Sequence, residues 1–309
     1  MNSRLLSGFA FAFASALLFA TRPILVKLAY IEGLDPTTLM LLRMGFSAPV
    51  YLATLLFFLY RRKQTPDADL VPIGLRDYLA IAGVGLLGYY AASYLDLLGL
   101  QYVTAQLGRV ILYVYPTLVV IATMLITRKV PSRTTLLALT LAYLGVLLIF
   151  GHDLIEFGDQ TLKGSVFIVL CSACFAAYLV LSDAPIAKFG SGFFTSVALL
   201  AACLGISLHY LITTLSGEQN LTPFADITHR AYWICLAIAI FSTVLPTFFT
   251  AAAIGRIGAI KMSVVSMVGP AVTSLLAVAF LSEAYTLFHF LGTVMIVFGI
   301  AILQRSKSN

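Results

Sequence analysis

The chain has 309 residues, of which 61% are hydrophobic and only 10% charged. Soluble domains run nearer half apolar and a quarter charged, so the main solvent of this chain is a bilayer. The net charge of +6 is spread over alternate loops, not gathered into one basic patch, which excludes a nucleic-acid-binding domain.

The first apolar run, near 6–27, follows a single arginine, Arg4. It has no small-x-small cleavage site and further spans follow at once, so it reads as a transmembrane helix and not as a signal peptide. Runs long enough to cross a hydrocarbon core recur near 36–60, 78–98, 101–126 and 134–150, then near 164–184, 192–215, 231–251, 256–281 and 285–303. The polar gaps near 61–77 and 217–230 are loops too short to bury a core. The tight junctions at Leu98–Gln101 and Ser282–Ala284 make their neighbouring spans antiparallel.

Ten spans return the C-terminus to the side of the N-terminus. With both inside, the cytoplasmic loops hold Arg4, Arg61, Arg62, Lys63, Arg76, Arg128, Lys129, Arg133, Lys188, Arg256, Arg305 and Lys307. The outer loops hold Lys163 and Arg230, with Lys27 at the border, and the acidic Glu32, Asp35, Asp153, Glu156, Asp159, Glu218 and Asp226. That asymmetry is a positive-inside signal and predicts N-in, C-in.

The two halves resemble each other at an offset of about 155 residues. Gly8 to Ser15 parallels Gly164 to Cys171, Phe19 answers Phe175, Tyr115-Pro116 answers Gly269-Pro270, and Gly145 answers Gly299. Five spans per half is odd, so the second copy enters the membrane from the opposite side. The expected fold is an all-α membrane protein of ten transmembrane helices in two inverted five-helix repeats, residues 1–155 and 156–309.

Further motifs carry a family resemblance. Gly8 to Lys27 ends in Phe-Ala-Thr-Arg-Pro-Ile-Leu-Val-Lys, with Phe19-Ala20 where the family pattern has Trp-Gly. Leu42-Arg43 lies in the second span, and Pro270 precedes Glu283 by thirteen residues, within Leu281-Ser282-Glu283. In these residues the chain resembles the EamA branch of the drug/metabolite transporter superfamily, with Ser282 for the glycine of the pattern. The first half runs from Pro116 to Lys129 at the same spacing and lacks the glutamate. The resemblance implies a basket-like bundle around a central cavity between spans 1–4 and 6–9, with spans 5 and 10 peripheral. The residues agree: span 5 is uncharged and span 10 carries only His289.

Polar groups inside the spans mark candidate sites. Tyr102, Gln106, Arg109, Tyr113 and Pro116 are spaced 4, 3, 4 and 3 apart, one face of a helix. Arg43, Ser47, Tyr51 and Thr54 follow a similar spacing, as do Tyr89, Ser93 and Asp96. Tyr178 stands in the sixth span, and Thr243, Thr247 and Thr250 flank Pro246 in the eighth. Substrate-binding candidates are therefore Arg43, Tyr89, Ser93, Tyr102, Gln106, Arg109, Tyr113 and Tyr178. Pro23, Pro116, Pro246 and Pro270 are candidate kinks. Arg43 and Arg109 lie roughly 10–12 Å below the outer surface, too deep to face lipid. They bind an anion, snorkel outward, or form a structural pair such as Arg109 with Asp96. Arg22, Lys27 and Lys261 read as interfacial anchors. Asp96 and Glu283 are candidate proton couplers, with a capping role as the alternative for Glu283. Cys171 and Cys174 read as small packing residues and not as a redox pair.

No nucleotide-binding loop, metalloprotease motif or nucleophile elbow occurs, which argues against a primary pump and an enzyme. The expected function is a secondary transporter for small organic metabolites, amino acids and related anionic compounds foremost, working by alternating access. The alternative is a passive channel or membrane scaffold. Expected partners are a small-molecule substrate and the lipid bilayer, with no cofactor, metal or nucleic acid, as a monomer or homodimer in the bacterial inner (plasma) membrane.

Overall fold

The computed structural model describes residues 3–64, 73–127, 133–217 and 221–305. Arg128, Lys129, Glu218 and Lys307, four of the charges that set the expected sidedness, lie outside the described residues. Within a bilayer each backbone amide and carbonyl needs a partner in the chain, so long apolar runs become helices. Among the described residues there is no strand. The helices are α1 (Ser3–Ala20), α2 (Arg22–Ile31), α3 (Pro36–Gln64), α4 (Leu75–Gly85), α5 (Ala92–Leu100), α6 (Ala105–Leu112) and α7 (Tyr115–Thr127). They continue as α8 (Arg133–Phe157), α9 (Asp159–Phe189), α10 (Ser191–Leu215), α11 (His229–Ala239), α12 (Leu245–Val265, interrupted at Gly258, whose φ is 78°), α13 (Gly269–Leu281) and α14 (Leu287–Arg305).

Seven stretches among the described residues are long and apolar enough to cross a membrane. Several helices outrun the apolar stretch that announced them: α9 spans Asp159–Phe189 against the expected 164–184. Their polar ends carry on the backbone hydrogen bonding past the hydrophobic segment. The chief pairings are α8 with α14, α1 with α12, α3 with α10 and α5 with α9. Glycines set two of these crossings. A Cβ at Gly99 of α5 would sit 2.9 Å from the Gly164 carbonyl of α9, and one at Gly164 equally close to the Gly99 carbonyl. Gly145 of α8 and Gly292 of α14 meet in the same reciprocal way.

The four prolines share one position. Pro23, Pro116, Pro246 and Pro270 are each the second residue of a helix that restarts after an irregular turn. Proline fits there because its missing N–H is not needed in the first turn. Thr21 separates α1 from α2, Tyr113 and Val114 separate α6 from α7, a π turn (Ile240–Val244) precedes α12, and a 3₁₀ turn (Ser266–Val268) precedes α13. A further π turn, Leu86–Ala91, joins α4 to α5. These turns release carbonyls. Pro23 has no amide proton for Phe19 O, which instead accepts from Arg109 Nη2. Pro116 leaves Leu112 O, which faces Ser172 Oγ at 3.1 Å.

The breaks correct one expectation. Tyr102 to Pro116 does not form one continuous helical face. The chain turns at Gln101 to Thr104, Thr104 Oγ1 caps α6 by accepting from Leu107 N at 3.1 Å, and α6 stops before Tyr113.

Ser282, which stands where the family pattern has glycine, adopts a left-handed φ of 54° at the end of α13. A side chain there costs about 1–2 kcal/mol against the right-handed alternative, part of which glycine would lose again through its freer unfolded chain. Ser282→Gly is therefore expected to raise thermal stability by about 0.5–1 kcal/mol. A fall in melting temperature would contradict this.

Candidate functional site

The helix breaks converge on a cavity in the middle of the bundle, with about 760 Å³ of atom-free space, its mouth included. That space is far too small for a macromolecule. Among the described residues its charged lining comes from the first half of the chain: Arg22, Arg43, Asp96 and Arg109. Arg22 Nη2 lies 3.3 Å from Asp96 Oδ2. The partner of Asp96 is thus Arg22 and not Arg109, because the break at Thr21 turns the start of α2 toward α5. Arg22 is a cavity residue and not an interfacial anchor.

Arg43, in the interior of α3, is 1% exposed. Its Nε and Nη2 are buried and have no hydrogen-bond partner among the described residues. A buried guanidinium without an acceptor is expensive, since each unpaired donor forfeits its hydration. Arg109 of α6 is also buried; Nη2 donates to Phe19 O, and Nε has no partner among the described residues. Three guanidiniums against one carboxylate leave the cavity with a surplus of positive charge. An anion entering it would meet oriented donors in a medium that screens them poorly.

Aromatic rings form the apolar walls. Tyr89, Tyr113, Tyr115 and Phe175 line the cavity, and Tyr178 stands behind Tyr89, their hydroxyls 2.7 Å apart. A Cβ at Gly269 would overlap the Tyr113 hydroxyl, so the Gly269-Pro270 turn makes room for that ring. Ser93 also lines the cavity. The second half contributes the hydroxyls of Ser242, Thr243, Thr247 and Ser266. Ser242 and Ser266 escaped the sequence reading. Their signal was proximity to Pro246 and Pro270, each four residues further on.

Of the sequence candidates, Arg43, Tyr89, Ser93, Arg109 and Tyr113 meet at the cavity, together with Asp96. Tyr102 and Gln106 do not line it. Lys163 Nζ donates to Tyr102 Oη at 3.0 Å, and Gln106 Nε2 donates to Ala284 O at 3.1 Å. Glu283 also lies elsewhere: its carboxylate accepts from Ala105 N at 2.8 Å and Gln106 N at 3.2 Å, holding the first turn of α6. None of the four kink prolines is among the cavity's lining residues.

Polar clasps join the two halves of the chain at two places. At one, Asp35 N donates to Thr222 Oγ1 at 3.0 Å and Thr222 N to Asp35 Oδ2 at 2.8 Å. Beside them Glu32 pairs with Arg230 at 3.2 Å and accepts from Thr228 at 2.8 Å. At the other, Lys188 pairs with Asp77 at 2.9 Å.

A bundle of apolar, membrane-length helices around a charged, aromatic-walled cavity is a multi-pass membrane transporter and not an enzyme. The sequence pattern of the EamA-like transporter family matches residues 6–151 and again 162–305. The chain belongs to that family. It is 30% identical over 301 residues to the uncharacterized transporter YcbK of Bacillus subtilis (strain 168), covering 97% of this chain and 94% of the relative. It is 24% identical over 262 residues to the uncharacterized transporter YyaM of the same organism, covering 84% of this chain and 81% of that one. A solved crystal structure shares the fold with a TM-score of 0.70 at 17% identity, over 97% of each chain. The protein is a multi-pass protein of the bacterial inner (plasma) membrane type.

Proposed function

We propose that the protein is a secondary transporter that carries small organic anions, amino acids and related metabolites foremost, by alternating access around the central cavity. Arg43 carries this reading, as a guanidinium buried in the cavity wall with two donors unanswered among the described residues. The proposed architecture is ten spans in two inverted repeats, residues 1–155 and 156–309, with both termini cytoplasmic. Matched helix starts support it: Leu75 and His229, Tyr115 and Gly269, and Arg133 and Leu287 are each 154 positions apart, as are the π turns beginning at Leu86 and Ile240. The twofold match to one family pattern supports it too.

Arg43, Tyr89, Ser93, Arg109 and Tyr113 form the proposed recognition surface, and Asp96 is the proposed site of any proton coupling. Both Glu283 oxygens are engaged at the start of α6, which favours the structural role there. The clasps at Asp35–Thr222 and Glu32–Arg230, and at Asp77–Lys188, are the proposed gates. Lysine cannot reproduce the fork of a guanidinium. Arg109→Lys in proteoliposomes is therefore expected to raise the half-saturating concentration of an anionic solute about tenfold, with the melting temperature nearly unchanged. Unimpaired transport by Arg109→Lys would remove Arg109 from the site, and a large fall in melting temperature would make it structural.

A further inference from the structure

Arg109 stands on a helix that cannot place itself. α6 has eight residues, all buried, between the turn at Gln101 to Thr104 and the break at Tyr113. A helix of that length makes too few internal hydrogen bonds to hold its own geometry, so its neighbours decide where it points. At its start Thr104 Oγ1 accepts from Leu107 N. The other two amides of that turn go to Glu283, 178 residues further along the chain from Ala105: Oε1 accepts from Ala105 N and Oε2 from Gln106 N. Gln106 answers with its side chain, Nε2 donating to Ala284 O at 3.1 Å. Glu283 is itself fixed. Its backbone N–H donates to Ala277 O at 3.4 Å, just past the left-handed Ser282, and Ala277 shares an apolar cluster with Ala105 and Ile24. Three hydrogen bonds thus clamp α6 to the end of α13. Arg109 follows one helical turn beyond the clamp, roughly 6 Å along the axis. Its tip is held by Phe19 O, and its Nε has no partner among the described residues.

The offset of 154 positions between matched helix starts pairs Glu283 with Lys129 and Arg109 with Ser263. Where serine replaces the arginine, lysine replaces the carboxylate, so clamp and arginine occur together. We propose that Glu283 is a positioning residue for solute recognition. From outside the cavity it clamps α6 and so aims the Arg109 guanidinium at an anion held there. The inference rests on the anion-site reading given above and adds to it a residue that touches no solute. An ionised carboxylate presents lone pairs alone and can face two amides at once. Its charge also suits the positive end of a helix. Glutamine keeps the shape but turns an NH2 toward one of the two amides, donor against donor. α6 then loses a hold, and Arg109 loses its aim.

The test is equilibrium binding of labelled lactate, L-alanine and L-glutamate to the purified protein at neutral pH. Wild type is compared with Glu283→Gln, each with Arg109 and with Arg109→Lys. For the tightest binder of the three, Glu283→Gln is expected to raise the dissociation constant about fivefold or more. With Arg109→Lys in place the same change should matter less than about twofold, because a flexible point charge depends less on aim than a rigid fork does. Equal losses in both backgrounds overturn the proposal and leave the anion site standing. So does an unchanged dissociation constant in folded Glu283→Gln, since a merely structural residue moves only the melting temperature. If wild type binds none of the three, the anion-site reading fails and takes this inference with it. Gln106→Met decides the matter should Glu283→Gln not fold. It removes the bond to Ala284 O together with a buried Oε1 that has no partner among the described residues, so the fold should tolerate it. Binding is expected to weaken about threefold, again only while Arg109 is present. An unchanged dissociation constant in Gln106→Met overturns the proposal.

Discussion

Arg43→Met is expected to raise the melting temperature and, at the same time, to remove transport of an anionic solute. The side chain lies in the interior of α3 with two buried nitrogens that find no acceptor among the described residues. Methionine fills similar space without a charge to desolvate. Replacing buried ionic groups with apolar ones of like volume stabilises by up to about 1–4 kcal/mol. Recognition moves the other way. Each charge-assisted hydrogen bond to a solute carboxylate is worth about 1.5–3 kcal/mol, or roughly 10–150-fold in half-saturating concentration. An arginine that holds the bundle together predicts a lower melting temperature instead. The opposed signs make the pair of measurements decisive: a destabilised variant with intact transport contradicts the assignment.

Asp96→Leu should be the most destabilising single change in the cavity. Asp96 is the carboxylate beside three guanidiniums and pairs with Arg22 at 3.3 Å, both side chains about nine-tenths buried. Removing one partner of a buried pair leaves the other charge uncompensated, at a cost of about 3–5 kcal/mol. The double variant Arg22→Met/Asp96→Leu, with neither charge, should recover most of that loss. The check is a double-mutant cycle of melting temperatures. A strictly additive cycle, or a stable Asp96→Leu, would show that the pair contributes nothing to folding.

Much of the fold was legible in the residues. Bilayer-length apolar runs leave the backbone no alternative to helix, and the prolines at 23, 116, 246 and 270 marked the breaks because a missing amide proton cannot be hidden inside a helix. Arg43 and Arg109 were visible as charges too deep to face lipid. Other parts were hidden for identifiable reasons. Tyr102 was placed with Arg109 by carrying a helical phase backward through Thr104, where the chain is not helical, whereas Gln106 shares α6 with Arg109 but gives its amide to Ala284 O. The partner of Asp96 depended on which of several arginines on separate helices turned toward α5. Spacing along one helix holds no such information, and the clue lay in Arg22 preceding Pro23 at the break. Ser242 lies in a π turn, which advances the side-chain phase beyond the helical count. Serine in a membrane helix usually only packs.

The most direct test of the central claim, an anion-binding cavity centred on Arg43, is counterflow in proteoliposomes. Wild-type protein and Arg43→Met are compared with a panel of labelled amino acids and related carboxylates. Saturable, stereospecific exchange of at least one anionic solute by the wild type, lost or shifted at least about tenfold in half-saturating concentration by Arg43→Met, is the predicted result. Exchange of a carboxylate at equal half-saturation by both proteins, or by neither, would contradict it.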